Sequence, residues 1–377
     1  MKRNEYELLL NLLLIFAVFL SITGFFTDIS NTAKFGGVDL RNRVVGARLL
    51  TRDLDPYHYK WQKGESQLLL DPRDNPNWNV NRVTVPPTVL ILHSALSWLD
   101  YKTQRYLWLF IQWILFLGSL FLFSLSSSSK VNSKLIWICG LFFVGTSFYW
   151  RLHVERGQIY ILYTFLIALS YWVYHQRKWG NLILSGFIIG ITSLLRPPVI
   201  LINLPFLIKK RWKFVLGNIM GVIVSFLSTL LILPFNTWLN YFSAMKVHGL
   251  IHTTELESAI GQYPFENIEG ITNLWIVPNI PITDTSIQGL MLNLFGVVIP
   301  AEILWIILLL IICFCIYLLH LIRSKSFTIL FLVGSILIFI SEIFIPAARY
   351  TYNNVLILIP LCLLIIDSKK FLVVSDD

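Results

Sequence analysis

Long apolar runs separated by short polar segments dominate this chain, and they predict a bundle of transmembrane helices. The runs cover residues 8–26, 86–99, 105–126, 135–150, 157–175, 181–195, 197–208, 212–233, 288–322 with an interruption, 327–345 and 350–366. A helix needs about 20 apolar residues to cross the hydrocarbon core of a bilayer. We therefore predict one all-α polytopic membrane domain over residues 1–377, with about ten transmembrane helices, plus or minus one or two. The run 86–99 is short for a span, and we interpret it as a half-buried or re-entrant helix.

Basic residues gather in some of the polar segments and set the predicted orientation. Cytoplasmic loops carry the excess of lysine and arginine. The basic residues assigned to the cytoplasm on this rule are Lys2, Arg3, Lys130, Lys134, Arg177, Lys178, Lys209 to Lys213, Arg323, Lys325, Lys369 and Lys370. Both termini are then cytoplasmic, and two long loops, 27–104 and 234–287, lie outside. We expect an integral protein of a bacterial inner (plasma) membrane, with its active site on the extracytoplasmic face.

Composition supports the membrane interpretation and excludes several other classes. The chain is 56% hydrophobic and 14% charged, whereas soluble domains carry about 25% charged residues. The formal charge of +9 is explained by the basic cytoplasmic loops, and no nucleic-acid-binding motif accompanies it. All four cysteines fall in apolar runs without a CxxC pair. His248 and His252 lack the HExxH pattern of a zinc site, so we expect no metal.

The start of the first long loop carries a candidate functional carboxylate, Asp39, directly after Gly36 and Gly37. Apolar residues share one side of the helix predicted to follow, and a basic stripe, Arg41, Arg48 and Arg52, occupies another. That pattern predicts an amphipathic helix in the lipid headgroup region, with its arginines near phosphates. Two interpretations of Asp39 stay open at this point: a helix N-cap, which needs no function, and a catalytic group.

Three further polar clusters interrupt the apolar pattern. Glu155 and Gln158 stand where two apolar runs meet, and an amide at a rigid helix end can bond sugar hydroxyls; ordinary loop polarity is the alternative. Arg196 lies between two apolar runs and before paired prolines. Arginine at membrane depth is costly and normally faces a cavity or partner, such as a lipid phosphate, unless it extends to the interface.

The third cluster, "RYTYNN", leads into the last apolar run. It holds Arg349, Tyr350 and Tyr352. Interfacial tyrosines are commonly membrane anchors, but an arginine followed by two asparagines exceeds what an anchor needs. In the second long loop, His248 is a candidate phosphate contact or simply part of the loop's polar surface.

Taken in order, several segments resemble glycosyltransferase family 87, the polyprenyl-phosphate-mannose-dependent α-1,2-mannosyltransferase type within the GT-C superfamily. The segments that carry the resemblance are "VDLRNRVVGARLLTRDLDPY", "VPPTVLILHSALSWL", "RGQIYILYTFLIAL", "SGFIIGITSLLRPPVILINLPFLIKKRWK" and, in part, "TDTSIQGLMLNLFG". The chain departs from the family pattern at Val85, where tyrosine is usual, and at Asp284 and Asn293. These departures bear on the acceptor and the sugar more than on the reaction type.

The resemblance implies a GT-C-type bundle and an inverting hexosyltransferase. Asp39 would be the general base, since family members use an aspartate in this loop. Arg196, Arg349 and His248 would bind the donor phosphate. The implied sugar and acceptor contacts are Glu155, Gln158, Tyr57, Tyr350 and Tyr352. The implied partners are a polyprenyl-phosphate sugar donor, with mannose favoured, a glycan or glycolipid acceptor, and membrane lipids, with no cofactor and no metal.

Two alternatives from other classes remain. A polysaccharide polymerase or ligase would use polyprenyl-diphosphate glycans, and it would not single out a base in the first loop. A lipid or sugar transporter would carry polar residues along a path through the membrane midplane, often in repeated halves. Here the polar clusters are predicted to gather at one face, and the sequence shows no internal repeat.

Overall fold

The computed structural model describes residues 3–176, 181–254, 284–321, 326–347 and 349–368. Within these ranges the α-helices are α1 Arg3–Lys34, α2 Val38–Leu50, α3 Pro87–Ser94, α4 Tyr101–Leu125, α5 Lys130–Thr146, α6 Phe148–Glu155, α7 Tyr160–His175, α8 Asn181–Leu195, α9 Asn203–Ile208, α10 Trp212–Leu230, α11 Asn236–Thr254, α12 Ile287–Phe295, α13 Ala301–Leu321, α14 Phe327–Phe344 and α15 Leu358–Ile366. Short 3₁₀ helices cover Gln67–Leu69, Pro197–Ile202 and Thr351–Ile357.

The prediction of an all-helical membrane protein is confirmed for the described part of the chain. It contains no β-strand, only an isolated bridge between Asp284 and Tyr350. Five helices (α1, α4, α10, α13 and α14) are long and apolar enough to cross a membrane, and a sixth span results if α5 and α6 form one bent unit. The predicted count of about ten is therefore not confirmed, because several apolar runs form helices that are too short by themselves.

Two breaks explain why apolar runs do not all become single spans. The axes of α5 and α6 differ by 66°, and the hydroxyl of Ser147 caps α6 by accepting from the Tyr149 N–H at 3.1 Å. After α8, Arg196 adopts an extended conformation and a 3₁₀ helix begins at Pro197, which has no backbone N–H to continue the α-helical ladder. Both breaks place polar residues at helix ends.

Close helix packing fixes the break after α8. Helices α8 and α10 approach so closely that a Cβ on Gly186 would lie 2.0 Å from the Phe214 carbonyl oxygen. A Cβ on Gly217 would lie 2.0 Å from the Ile183 carbonyl oxygen. Small residues allow this backbone contact, which is a common basis of helix association in membranes. Arg196 therefore directly follows α8, a helix whose position is fixed by its close packing against α10.

Helix α2 differs from the amphipathic surface helix that the sequence predicts. It is buried from Val38 to Leu49. The Arg41 guanidinium donates to the carbonyls of Leu70 and Gln67 at 2.9 and 3.1 Å, and Arg48 donates to the carbonyls of Leu68 and Leu99, both at 3.1 Å. The expectation that these two arginines face lipid phosphates is therefore wrong, because backbone carbonyls of the protein satisfy them instead.

The predicted short segment 86–99 contains the eight-residue helix α3. At about 1.5 Å per residue, such a helix is far too short to cross a bilayer. Several basic residues that were used to predict the orientation lie outside the described residues: Lys2, Arg177, Lys178, Arg323, Lys325, Lys369 and Lys370.

Candidate functional site

Asp39 lies in the first turn of α2, but its side chain does not cap the helix. Gly37 is the N-cap residue, with a φ of 63° and no side-chain cap. The backbone N–H groups of Asp39 and Leu40 both donate to the Arg156 carbonyl, at 3.1 and 3.0 Å. The N-cap interpretation of Asp39 is therefore wrong. Its carboxylate is available for a different role, outside the candidate membrane spans.

The Asp39 carboxylate is held by charged and polar donors. Arg156 donates from Nε at 2.5 Å and from Nη2 at 2.9 Å to the two carboxylate oxygens, and the Gln158 amide also donates to Oδ2. The Asp39 side chain is only 11% exposed. Burial acts to raise the pKa of Asp39, but the charge and hydrogen bonds of Arg156, together with Arg82 and Arg43, hold that pKa below its ordinary value. Asp39 is therefore ionised near neutral pH.

Gln158 positions Asp39 rather than facing open space. While its amide N–H₂ donates to Asp39, its Oε1 accepts from Arg43 at 2.8 Å. Arg43 also donates to the Gly157 carbonyl at 2.8 Å. Because both ends of the amide are bonded to protein, the expectation that Gln158 binds sugar hydroxyls is not supported. The residue instead fixes the orientation of the carboxylate.

A row of aromatic rings connects Asp39 to the predicted phosphate-binding arginine Arg196. The Arg156 guanidinium stands 5.6 and 5.4 Å from the ring centroids of Tyr350 and Tyr352. Tyr352 packs against Tyr160 at 6.0 Å, and Arg196 lies 5.1 Å from the Tyr160 ring. The structure therefore brings Asp39, both tyrosines and Arg196 into one continuous cluster.

Arg196 has a carboxylate partner that the sequence did not indicate. Both Nε and Nη2 of Arg196 lie 2.8 Å from Oε1 of Glu342. The Glu342 side chain is 1% exposed, whereas that of Arg196 is 31% exposed. The amide of Asn353 donates to the other oxygen of Glu342 at 3.4 Å. Arg196 is thus anchored from one side and remains partly accessible from the other.

Arg349 lies close to this ion pair but makes different contacts. Its guanidinium donates to the Thr285 hydroxyl at 2.6 Å and to the Asn354 side-chain oxygen at 2.7 Å. It also stands 4.7 Å from the Phe339 ring centroid. The Arg349 backbone N–H donates to the Asp284 carboxylate at 3.1 Å, and the carboxylates of Glu342 and Asp284 both lie near its guanidinium.

His248 and Tyr57 have roles other than the expected ones. His248 donates to the Asn81 carbonyl at 2.8 Å. Burial lowers the pKa of His248 to about 4, with the nearby charge of Arg82 adding to the effect. The imidazole is therefore neutral at pH 7 and is not a cationic phosphate ligand. Tyr57 is fully buried, and its hydroxyl donates to the Val85 carbonyl at 2.9 Å, so it cannot stack on a sugar.

Glu155 is buried without a hydrogen-bonding partner for its carboxylate. The residue is 1% exposed, and among the described residues neither carboxylate oxygen accepts a hydrogen bond. Arg105 approaches from one side but donates to the Glu155 backbone carbonyl, at 2.8 Å. An unsatisfied buried carboxylate is costly, but the 1% exposure of Glu155 leaves no open approach for a substrate in this conformation, so its predicted contact with sugar hydroxyls stays a prediction.

Several site residues were missed in the sequence. Arg156 lies two positions before Gln158 and Arg43 lies two positions after Arg41, and neither stands out in the sequence from the other polar residues around it. Glu342 carried a detectable signal, since an ionisable residue inside an apolar run normally marks a functional partner. No group of three possible metal-ligating side chains comes together within the described ranges; metal independence stays a prediction.

Comparison with known families identifies the reaction class. A model of Glycosyltransferase family 87 matches residues 84–341, about two thirds of the chain. The chain belongs to glycosyltransferase family 87. It is therefore a glycosyltransferase, which excludes the transporter alternative and implies a sugar donor and an acceptor. Neither the curated proteins nor the solved structures gave a significant match.

The part of this family 87 chain covered by the match contains only some of the site. Gln158 and Arg196 fall inside residues 84–341, whereas Asp39, Glu342 and Arg349 fall outside them. Membership thus assigns the reaction class without assigning a role to Asp39. The role of this carboxylate depends on the contacts described above.

Proposed function

We propose that this family 87 member is an inverting glycosyltransferase of the GT-C type. It transfers a sugar, with mannose favoured, from a polyprenyl monophosphate to a hydroxyl of a glycan or glycolipid. The reaction takes place at the outer face of a bacterial plasma membrane. The observation that carries this proposal is the ionised, firmly oriented carboxylate of Asp39, joined through a row of tyrosines to the partly exposed Arg196.

The reaction needs one base and one cationic group for the leaving phosphate. Asp39 takes the proton of the acceptor hydroxyl as the hydroxyl oxygen forms its bond to C1 of the sugar. The bond between C1 and the phosphate oxygen breaks, and its electron pair leaves with the polyprenyl phosphate. Attack from the face opposite the phosphate inverts C1. Because phosphate departs as an anion, no carboxylic acid has to protonate it.

The contacts of Asp39 suit the role of a base. Arg156 keeps the carboxylate ionised, and Gln158 with Arg156 restricts its rotation. The weakest contact is with Arg82, whose Nη2 lies 3.8 Å from Oδ1. An acceptor hydroxyl entering beside Arg82 can approach that oxygen without displacing the two-point pair with Arg156. Such prior orientation is a large part of catalytic rate enhancement.

On the other side of the tyrosines, Arg196 and Arg349 are suited to a departing phosphate. Guanidinium groups match phosphate geometry and stabilise developing negative charge strongly in a water-poor site. Arg196 is anchored by Glu342 yet 31% exposed at its side chain. Arg349 lies near the same carboxylate, and its guanidinium donates to the Thr285 hydroxyl and the Asn354 side-chain oxygen. Together the two guanidinium groups offer hydrogen-bond donors for the departing phosphate.

An apolar cavity next to Arg196 supports a lipid-linked donor. It has a volume of about 250 Å³, and its lining residues include Pro86, Leu194, Pro197, Ile200 and Phe242. Leu194 and Pro197 flank the Arg196 break directly along the chain. Exposing a prenyl chain to water costs about 0.8 kcal/mol for each CH₂ group, so an apolar space beside a phosphate-binding arginine suits such a substrate.

The test is a substrate panel with the purified full-length protein. Polyprenyl-monophosphate sugars are incubated with candidate glycolipid acceptors, products are identified by mass spectrometry, and their anomeric configuration is determined by NMR. We expect transfer from a monophosphate donor with inversion at C1. Transfer from polyprenyl-diphosphate glycans alone would instead favour the polymerase or ligase alternative, and retention at C1 would contradict the one-base reaction.

A further inference from the structure

Helix α4 turns one face toward the two backbone segments that carry Asp39 and its partners. Tyr101, Arg105 and Trp108 follow the i, i+4, i+7 spacing that places side chains on the same side of a helix, and all three are buried. Each of them forms hydrogen bonds with backbone carbonyls of other segments. This face of α4 therefore acts on the position of the backbone around Asp39.

Arg105 joins the turn before α2 to the end of α6. Its Nη2 donates to the Phe35 carbonyl at 2.7 Å, and its Nη1 donates to the Glu155 carbonyl at 2.8 Å. Phe35 lies four positions before Asp39, and Glu155 directly precedes Arg156. One guanidinium thus holds the two backbone segments whose side chains form the Asp39–Arg156 ion pair.

The other two side chains on this face bind the same two segments. The Tyr101 hydroxyl lies 2.6 and 2.9 Å from the carbonyl oxygens of Gly36 and Gly37. Trp108 donates its indole N–H to the Gln158 carbonyl at 3.2 Å. Helix α4 therefore contacts the turn before α2 at three successive residues and the turn after α6 on both sides of its arginine.

Arg105 packs tightly against the residue at which α2 begins. Gly37 has a φ of 63°, and a Cβ added to it would collide with the Arg105 guanidinium. A left-handed φ and so close a neighbour both favour glycine at this position. Because no side chain caps α2, the place where the helix starts depends on such backbone contacts.

The geometry of Arg105 matters more to Asp39 than its charge does. The largest charge effects on the pKa of Asp39 come from three other arginines. Both terminal nitrogens of Arg105 bond carbonyls, and neither carboxylate oxygen of Glu155 accepts a hydrogen bond among the described residues. A guanidinium suits this task because its donors form a rigid fork, whereas a lysine ammonium is a single charge on a flexible stem.

We propose that Arg105 is a positioning residue for sugar transfer: by tying the turn before α2 to the end of α6, it holds Asp39 where the two-point pair with Arg156 forms. Arg105 itself touches no substrate. This inference rests on the proposed function, in which Asp39 is the base. A misplacement of about 1 Å caused far from the reacting atoms can cost a hundredfold in rate, so loss of this tie should be visible in kcat.

The test variant is Arg105→Lys, which keeps the positive charge but loses the paired donors. The matched control is Arg48→Lys. Arg48 is also a buried arginine that donates to two backbone carbonyls, but it belongs to the last turn of α2. It lies nine positions after Asp39, about 13 Å along the helix axis. The two variants lose the same kind of contact at opposite ends of one helix.

We expect Arg105→Lys to lower kcat about tenfold to a hundredfold without changing the donor KM. The acidic limb of its pH–rate profile should move to higher pH, because a looser pair with Arg156 holds the pKa of Asp39 less far below its ordinary value. Arg48→Lys should lose stability but keep the kcat and the acidic limb of the unmodified protein. An unchanged kcat and acidic limb in Arg105→Lys, or the same changes in both variants, would overturn the proposal.

Tyr101→Phe provides the same test if Arg105→Lys does not fold. It removes only the hydroxyl that lies against the carbonyls of Gly36 and Gly37. We expect a lower kcat and an acidic limb at higher pH, in the same direction as for Arg105→Lys. A folded Tyr101→Phe protein with the unmodified profile would count against positioning by this face of α4.

A double-mutant cycle in thermal unfolding distinguishes a failure of this proposal from a failure of the proposed function. The stability losses of Arg105→Lys and Asp39→Asn should be less than additive, because both act on one ion pair, whereas those of Arg48→Lys and Asp39→Asn should add, as for distant sites. Additive losses for Arg105 and Asp39 would contradict the positioning role. If the coupling persisted while Asp39→Asn transferred sugar at the full rate, the assignment of the base would be wrong and the tie between Arg105 and Asp39 would stand.

Discussion

Arg156 and Asp39 form a two-point ion pair, with Nε and Nη2 of the arginine 2.5 and 2.9 Å from the two carboxylate oxygens. The pair joins the start of α2 to the end of α6 across 117 positions of the chain. The same Arg156 accepts two backbone hydrogen bonds from α2 through its carbonyl oxygen. One residue therefore both places the helix and sets the charge state of its carboxylate.

Replacing Arg156 with glutamine should destabilise the protein and shift its pH profile. Asp39 would become a buried charge without its main partner, at a cost of about 3 kcal/mol. Its pKa would rise, because the charge of Arg156 is the largest effect that lowers it. Activity, which needs the ionised carboxylate, should then begin to fall at a higher pH than in the unmodified protein. Thermal unfolding and a pH–rate profile measure both effects, and an unchanged acidic limb would contradict the pairing.

Replacing Gln158 with leucine separates a positioning role from substrate binding. Because its amide bonds Asp39 and Arg43, we expect kcat to fall by roughly tenfold to a hundredfold, less than the loss expected when the base itself is removed, while KM for the donor stays constant. Steady-state kinetics at varied donor concentration distinguish the two roles. A raised donor KM with unchanged kcat would return Gln158 to the sugar contact that the sequence suggested.

Changing Arg196 to glutamine should affect stability and donor binding in separable ways. Glu342 would lose its cation, at a cost on the order of 2 kcal/mol, less than for a fully buried pair because Arg196 is 31% exposed at its side chain. The double variant with Glu342→Gln should regain stability, because no charge is then left unpaired. It should still show a raised donor KM. Recovery of both properties would mean that Arg196 does not bind the donor.

His248 should make stability depend on pH in the acidic range. Its pKa is about 4 in the folded protein, below the ordinary value of about 6.5. Between these values the unfolded chain binds the proton and the folded protein does not, so the stability contributed by the neutral imidazole is lost as pH falls. We expect up to about 2 kcal/mol of loss that is absent in His248→Gln. Asp74, whose pKa is raised to about 6, acts in the opposite direction, so the difference between protein and variant is the quantity to compare.

Local patterns in the sequence predicted the helical class and the regions that contribute to the site. Apolar runs indicate helices because the burial of apolar surface depends on the type and spacing of neighbouring residues, which the sequence shows directly. The Arg196-Pro197 break was also visible, since proline removes a donor from the helix. These features depend on neighbours in the chain, which a single sequence contains.

Partner choice was not predictable in the same way. Arg196 and Glu342 are 146 positions apart, and the sequence around either residue does not indicate that the two form an ion pair. The roles of Gln158 and Tyr57 likewise depend on groups that only packing brings close. Side chains that are chemically suited to binding a sugar instead form hydrogen bonds within the protein. The buried Arg41 shows the same limit, because its stripe pattern is typical of a surface helix.

The most direct measurement is sugar transfer by Asp39→Asn in the purified full-length protein. The substitution keeps the side chain's size and an acceptor oxygen for Arg156, but it removes the base. We expect expression and membrane insertion to be retained, with a loss of stability of about 3 kcal/mol because the buried Arg156 loses its charged partner. Transfer by the folded variant should be reduced by about a hundredfold or more, as the loss of a general base predicts. Transfer at the full rate in a folded Asp39→Asn protein would contradict the assignment of Asp39 as the base.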